Sequence, residues 1–188
     1  LDRERMPEYA RRLAMIRPRA IVGYVTPLYL VERWARESGT RLHRPEVIRT
    51  AAEPLEETQR AEIARAFGAP VRNTYGCREF MLIAAEHAAC GNMHINSDHL
   101  LVESAALDVP AAPRTEQLIF TDLANRSMPL VRYLNGDVGV LGRRPCVCGL
   151  PFPLLERVDG RRFDVLRTPS GKLIHCSALT WVFLEVGG

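Results

Sequence analysis

Apolar residues in the first half of the chain follow two alternating spacings, one typical of helices and one typical of buried strands. Tyr9, Leu13 and Ile16 recur three or four positions apart, which predicts an amphipathic helix that Pro18 ends. Runs rich in Ile and Val predict strands between the helices. The predicted helices cover residues 8–16, 28–36 and 56–67, and the predicted strands cover 21–25, 47–50 and 71–75. This alternation predicts βαβ units and a parallel sheet.

The second half, from Cys90 onward, is richer in β-branched and alternating apolar residues. They predict strands at 93–96, 99–104, 117–122 and 129–140. A turn sequence, Thr-Pro-Ser-Gly at 168–171, separates two further short apolar segments at 163–167 and 172–175, which predicts a hairpin. The fold class is therefore α/β, with a parallel βαβ half followed by a β-rich half.

Composition and charge exclude several classes of protein. The 188 residues are 47% hydrophobic and 25% charged, as in a globular chain, and five cysteines in such a chain do not indicate a disulfide scaffold. The 25 basic residues, all arginine except Lys172, leave a net charge of +3, too small for a general nucleic-acid or membrane binder. With no transmembrane-length apolar run and no signal-type start, we predict a cytoplasmic protein without nucleic-acid or membrane partners.

Cysteines and histidines form two pairs on glycine turns in the β-rich half. Cys90 and His94 lie four positions apart, and Cys146 and Cys148 lie two apart. Paired ligands on tight turns arrange half of a tetrahedral zinc site in advance. We predict a structural zinc held by these four side chains, with His87 as an alternative fourth ligand. The competing interpretation is that they are core thiols and an ordinary histidine.

Thr74-Tyr75-Gly76-Cys77-Arg78-Glu79 comes at the end of a predicted strand, where α/β proteins commonly bind ligands. A tyrosine offers a flat face for a base, a glycine allows close backbone approach, and a glutamate offers an oxygen ligand to magnesium. By itself a Tyr-Gly turn is common, so the interpretation depends on the motifs around it.

Further motifs stand in a fixed order along the chain. Thr-Ala-Ala-Glu-Pro-Leu at 50–55 precedes the Tyr-Gly turn, and Val-Arg-Tyr-Leu-Asn-Gly-Asp at 131–137 and Gly-Arg-Arg-Phe-Asp at 160–164 follow the first Cys/His pair. The ordered series resembles the phenylacetate–CoA ligase-like branch of the adenylate-forming (AMP-binding) enzyme superfamily, which includes capsule-biosynthesis relatives. The resemblance extends over about four fifths of the chain and implies part of the large N-terminal domain of such an enzyme.

The resemblance implies a role for each matching residue. Tyr75 and Gly76 would lie beside the adenine, and Glu79 would be catalytic by holding magnesium against the phosphates. Asp137 would accept hydrogen bonds from the ribose hydroxyls, Arg161 would contact ribose or phosphate, and Asp164 would be the interdomain hinge. The wall of the adenine pocket would be formed by the segment Ala52, Glu53 and Pro54. The Cys90, His94, Cys146 and Cys148 set matches the zinc site of some members.

The same resemblance implies the regions and the reaction. Residues 1–89 would be an adenine-binding α/β portion, 90–164 a β-rich portion with the zinc site, and 165–188 a hairpin after the hinge. The reaction would be ATP-dependent activation of a carboxylic acid as an acyl adenylate, followed by transfer to coenzyme A or another thiol. Aryl acids are the family-level expectation for the substrate. A homodimer is possible.

Two departures from the family pattern keep a second hypothesis open. Arg78 replaces the usual Ser or Thr before the glutamate, and Ala52 replaces a glycine. The phosphate loop and the adenylating lysine of the family have no counterpart in the chain, since Lys172 lies in the hairpin. We therefore expect a central fragment that is inactive alone. The alternative is a non-catalytic binding or scaffolding module that is derived from such an enzyme and stabilised by a structural zinc ion.

Overall fold

A computed structural model of the chain describes residues 2–107, 114–162, 165–171 and 173–175. It divides into two compact units, Leu1–Gly91 and Asn92–Gly188. Each unit is described separately below. Among the described residues, no helix combines the length and the apolar character that crossing a membrane requires.

The first unit alternates helices with strands, as the spacing of its apolar residues predicts. After a short 3-10 helix, Arg3–Arg5, come α1 (Met6–Ile16), β1 (Ala20–Tyr24), α2 (Val25–Ser38), β2 (Val47–Ala51), α3 (Glu57–Phe67), β3 (Val71–Cys77) and β4 (Met81–Glu86). The strands β1, β2 and β3 are parallel neighbours, which confirms the predicted βαβ units. The core between helices and sheet centres on Ile48, Ile63 and Phe67, each at most 2% exposed.

The helices of the first unit begin and end where local chemistry favours it. Gly39 and Gly68 end α2 and α3 in the left-handed conformation, as expected for glycines after a helix. The sequence places the start of α2 at Leu28, whereas the structure begins the helix at Val25. Pro27 then lies within the first turn, where its missing N–H has no intrahelical partner to lose.

Strand β4 is absent from the sequence prediction. It pairs antiparallel with β3 through a tight turn at residues 78–80, and the register shifts between Tyr75 and Gly76. The segment Met-Leu-Ile-Ala-Ala-Glu at 81–86 is rich in helix-forming residues, and its buried positions, Ile83 and Ala84, are consecutive rather than alternating. Pairing with β3 decides its conformation against local propensity.

The second unit is an antiparallel sheet in the order β5-β9-β8-β7-β6. Its strands are β5 (Met93–Ile95), β6 (Leu100–Ala105), β7 (Glu116–Asp122), β8 (Asp137–Leu141) and β9 (Leu154–Arg161), and a separate hairpin joins β10 (Val165–Arg167) and β11 (Leu173–His175). Leu118, Phe120, Val140 and Leu155 are among its buried side chains. The predicted β-rich half and the predicted hairpin are both present.

One strand prediction in this unit is wrong, and one strand is missing from the prediction. The segment 129–140 is not one strand, because only Asp137–Leu141 is regular and the stretch before it makes a single bridge between Tyr133 and Phe120. Pro129 and the Asn135-Gly136 turn interrupt the pattern, and Gly136 has a φ of 87°. Strand β9 was not predicted. The hinge candidate Asp164, together with Lys172, lies outside the described residues.

Candidate nucleotide and metal sites

The loop after β2 carries the first predicted nucleotide-binding segment. Ala52 has a φ of 67°, a left-handed conformation that glycine adopts readily and alanine does not. The backbone conformation therefore explains the glycine at this point of the family pattern. Alanine in its place adds one methyl group but carries a conformational strain that glycine does not. Ala52 and Pro54 are exposed, and Glu53 is half-buried.

Glu53 has a definite partner. Its Oε2 accepts a hydrogen bond from the backbone N–H of Thr26, with N and O 2.6 Å apart. Thr26 lies in the first turn of α2, where backbone N–H groups lack intrahelical partners and the helix dipole favours an anion. Glu53 thereby holds the loop against the start of α2, an interaction that the sequence did not reveal.

The hairpin between β3 and β4 carries Tyr75, Gly76 and Glu79. Tyr75 is half-buried and opposite Ala84, while Arg78 and Glu79 are exposed in the turn. Gly76 cannot be replaced without a shift, because a Cβ there would lie 1.8 Å from the backbone oxygen of Met81. The bulge at Gly76 therefore fixes the direction of the residues that follow Tyr75.

Within this hairpin the Glu79 carboxylate contacts the Cys77 thiol. Burial first, and then the hydrogen bond to Glu79, raise the pKa of the half-buried Cys77 thiol above its usual range. Cys77 is accordingly a protonated thiol at neutral pH rather than a nucleophile. The Glu79 carboxylate is exposed in the turn and is of the type that binds hard cations.

An ion pair anchors the base of the same hairpin. Arg60 on α3 binds both carboxylate oxygens of Glu86, at 2.8 and 2.7 Å, and also donates to the carbonyl of Val71 at 3.0 Å. Glu86 in turn accepts the backbone N–H of Asn73 at 2.8 Å. The Glu86 side chain is 10% exposed. The network ties α3 to β3, which carries Tyr75, and to β4, which pairs with β3.

In the second unit, Asp137 and Arg161 meet at the start of β8. The two residues are register partners on β8 and β9, and Arg161 Nε lies 3.5 Å from Asp137 Oδ1. Asp137 is 7% exposed, and its Oδ2 accepts from the Asn135 amide at 2.7 Å. The Asn135 Oδ1 accepts the Asp137 backbone N–H at 2.9 Å. A carboxylate held in this way is oriented in advance for hydroxyl donors.

Three of the four predicted metal ligands, His94, Cys146 and Cys148, lie together in the second unit. One ligand atom from each of them falls within 4.8 Å of the others. Cys148 Sγ and His94 Nε2 are 3.5 Å apart. Zinc bonds of about 2.3 Å to sulfur and 2.0–2.1 Å to nitrogen in a tetrahedron imply about 3.6 Å between such atoms. The residues therefore fit a zinc ion.

The turns around this cluster show how the sequence builds it. Gly91 follows Cys90 and Gly149 follows Cys148, with φ values of 69° and 80°. The Asn92 amide donates to Cys146 Sγ at 3.2 Å, an interaction that stabilises a thiolate. His87, the alternative ligand, lies outside the group, with its Nδ1 3.8 Å from Cys90 Sγ. This geometry favours His94.

Parallel strands in the first unit and an antiparallel sheet in the second make this an α/β fold. No family model matches the chain. Protein CapK of Staphylococcus aureus is 27% identical over 169 residues, which are 89% of this chain and 36% of CapK. Phenylacetate-coenzyme A ligase of Thermus thermophilus is 31% identical over 122 residues, which are 61% of this chain and 27% of that ligase.

Solved structures share the fold. A 2-hydroxyisobutyryl-CoA ligase in complex with R3-HIB-AMP matches with a TM-score of 0.79 and 23% identity, over 93% of this chain and 39% of that chain. The anthranilate CoA ligase AuaEII in complex with anthranoyl-AMP matches with a TM-score of 0.64 and 12% identity, over 93% and 36%. The predicted resemblance to capsule-biosynthesis and phenylacetate–CoA ligase-like proteins is confirmed, and the chain spans about a third of the length of these proteins.

Proposed function

We propose that the protein containing this chain activates a carboxylic acid with ATP. A carboxylate oxygen of the acid attacks the α-phosphorus, pyrophosphate leaves, and a thiol sulfur then attacks the acyl carbonyl and releases AMP. Support comes from the structural neighbours, two of which are CoA ligases solved with acyl adenylates. The single observation that carries the proposal is Asp137, a buried carboxylate oriented by Asn135 and Arg161 within this fold.

In this proposal Asp137 accepts hydrogen bonds from the ribose hydroxyls of ATP, and Arg161 contacts the ribose or a phosphate. Arg161 is 65% exposed, so its guanidinium is accessible to such a ligand. Tyr75, with Gly76 beside it, supplies a flat surface for adenine. The segment Ala52, Glu53 and Pro54 forms the wall of the adenine pocket.

Glu79 is the proposed magnesium ligand. Its carboxylate is exposed in the β3–β4 turn, and a bound Mg²⁺ would supply charge neutralisation to the phosphates. Binding the ion would require the carboxylate to exchange its Cys77 thiol partner for the cation. Arg78 would add a positive charge to the same turn.

Substitution of Asp137 tests the nucleotide site. Asp137→Asn keeps the shape of the side chain and the contact with Asn135, but it removes the negative charge. Because hydrogen bonds to a charged group are worth about 1.5–3 kcal/mol, we expect AMP to bind about tenfold to a hundredfold more weakly in calorimetry. Asp98→Asn, at an exposed position of the same unit, is the matched control and should bind AMP normally. Equal loss in both variants would contradict the role of Asp137.

The reaction itself is tested by pyrophosphate exchange. The full-length protein is incubated with ATP, labelled pyrophosphate and a panel of aryl and alkyl acids, with coenzyme A as the acceptor in a second assay. Acid-dependent exchange supports adenylation, and thioester formation supports transfer to coenzyme A. Tight AMP binding without exchange for any acid would favour the non-catalytic module that Arg78 suggests.

Two further expectations have their own tests. Cell fractionation tests the proposed cytoplasmic location, and light scattering tests the proposed homodimer.

We further propose that Cys90, His94, Cys146 and Cys148 hold a structural zinc ion. Four protein ligands leave no open position, so the ion would stabilise the two turns rather than take part in the reaction. His94 and Cys146 are 8% and 6% exposed, which restricts access of chelators and oxidants.

Metal analysis with two neighbouring variants tests the zinc site. We expect about one zinc per chain in the purified protein, and less than about half an equivalent would contradict the site. Cys146→Ser should lower the zinc content and the thermal stability together, because metal binding contributes to folding. Val147→Ala changes a side chain that is 97% exposed between two of the ligands and should keep the zinc.

A further inference from the structure

A concave pocket of about 520 Å³ lies in the second unit beside the metal-ligand cluster. Its volume is within the range typical of small-molecule sites, about 300–1,000 Å³. The lining combines basic and apolar side chains and includes Cys146 itself. The principal lining residues are Arg114, Arg143, Arg144, Pro145, Val147 and Leu154.

The pocket has an excess of positive charge. Arg114 forms an ion pair with Glu156, also in the lining, with Nη1 and Oε2 2.9 Å apart. Arg143 and Arg144 are exposed, and no ion pair or hydrogen bond joins either of them to another residue in the part of the chain that the structure describes. Two neighbouring guanidinium groups therefore remain available to one ligand.

The chemistry of the lining indicates the ligand class. Guanidinium groups bind phosphate oxygens through paired N–H donors, which an ammonium group cannot reproduce. Pro145, Val147 and Leu154 supply an apolar surface that inorganic phosphate alone would not use. We propose that this pocket binds an organic phosphate monoester, with the phosphate on Arg143 and Arg144 and the organic group on the apolar surface.

The position of the pocket distinguishes it from the proposed nucleotide site. Asp137 begins β8, whereas Arg143 and Arg144 follow the end of β8, and neither Asp137 nor Arg161 lines the pocket. The two arginines are separated from Cys146 by Pro145 alone, and Asn92, also in the pocket lining, donates to the Cys146 sulfur. The metal cluster would thus hold the arginine turn in place.

Titration of the zinc-loaded, ¹⁵N-labelled full-length protein with phenyl phosphate tests this inference, with inorganic phosphate and phenol as comparison ligands. We expect phenyl phosphate to shift the side-chain resonances of Arg143 and Arg144 and to bind more tightly than either comparison ligand. Arg143→Ala and Arg144→Ala should each weaken its binding about tenfold, as expected for loss of a charge-assisted contact. Arg126→Ala removes an exposed arginine of the same unit and should change the affinity less than twofold.

The outcomes separate this inference from the proposed adenylation. Asp137→Asn should leave phenyl phosphate binding unchanged, so binding can persist even if acid activation is absent. Equal affinity for inorganic phosphate, equal effects of Arg126→Ala and Arg143→Ala, or loss of binding in Asp137→Asn would each overturn the proposed pocket.

Discussion

Replacement of Ala52 by glycine should stabilise the protein. Alanine in the left-handed region is strained by about 1–2 kcal/mol, because its Cβ approaches the following carbonyl oxygen. Ala52 has a φ of 67°, and it is exposed, so its methyl group contributes little packing that glycine would lose. Glycine also makes the unfolded chain more flexible, which costs about 0.4–1 kcal/mol. The net expectation is a gain of about 0.5–1 kcal/mol in the free energy of unfolding.

The neighbouring residue provides a control of the opposite sign. Ala51 is the last residue of β2 and pairs with Tyr24, so it has no left-handed strain to relieve. Ala51→Gly should therefore lower the free energy of unfolding by about 0.5–1 kcal/mol, the usual loss for glycine within a strand. The two variants differ by one position and have the same composition.

Urea denaturation followed by circular dichroism measures both changes, and thermal melts provide a second reading. A change of 1 kcal/mol corresponds to about 2–4 °C in a chain of 150–250 residues. The reasoning is refuted if Ala52→Gly destabilises the protein, or if the two glycine variants shift the urea midpoint in the same direction. Because Ala52 belongs to the proposed adenine wall, AMP affinity should be measured for both variants as well.

Three further perturbations have defined outcomes. Gly76→Ala should cost more than about 3 kcal/mol in urea denaturation, because the added Cβ would lie 1.8 Å from the backbone oxygen of Met81. Arg60→Ala should cost about 2 kcal/mol or more, since Glu86 is left partly buried without its partner, whereas the exposed Arg65→Ala should cost less than about 0.5 kcal/mol. Alkylation of Cys77 near pH 8, followed by mass spectrometry, should be slower in the folded than in the urea-unfolded chain, because burial raises its pKa. The buried neutral thiol of Cys77 also contributes to the free energy of unfolding. That contribution is complete below the thiol's pKa in the unfolded chain and is lost as the pH rises through its pKa in the folded chain.

The parts of the fold that were predictable are those in which local sequence and tertiary structure agree. Helices α1 and α3 end at the predicted residues, because Pro18 disfavours the helical conformation of the residue before it and Gly68 adopts the left-handed conformation readily. Strands β1, β2 and β3 are short Ile- and Val-containing segments between helices, a pattern with few alternatives. These features are local, so a single sequence is enough to infer them.

The parts that were not predictable depend on partners distant in sequence. Strand β9 contains Glu156, Arg157 and Asp159, and its register with β8 shifts at two places, so no alternating pattern is visible along the chain. Strand β4 has the composition of a helix and is held by Arg60 from α3 through Glu86. In both cases the pairing partner determines the conformation, and local propensity gives the wrong answer.

The candidate sites were more predictable than the strands that carry them, for a physical reason. Gly76, Gly91, Gly136 and Gly149 mark turns or close approaches beside Tyr75, Cys90, Asp137 and Cys148, and glycine requirements of this kind are visible in sequence. The side chains that hold these groups in place are visible only in three dimensions, because Asn92, Asn135 and Glu53 act through one or two specific hydrogen bonds each. A sequence motif can thus propose residues for the reaction, whereas the orientation of their side chains is set by contacts that only the structure shows.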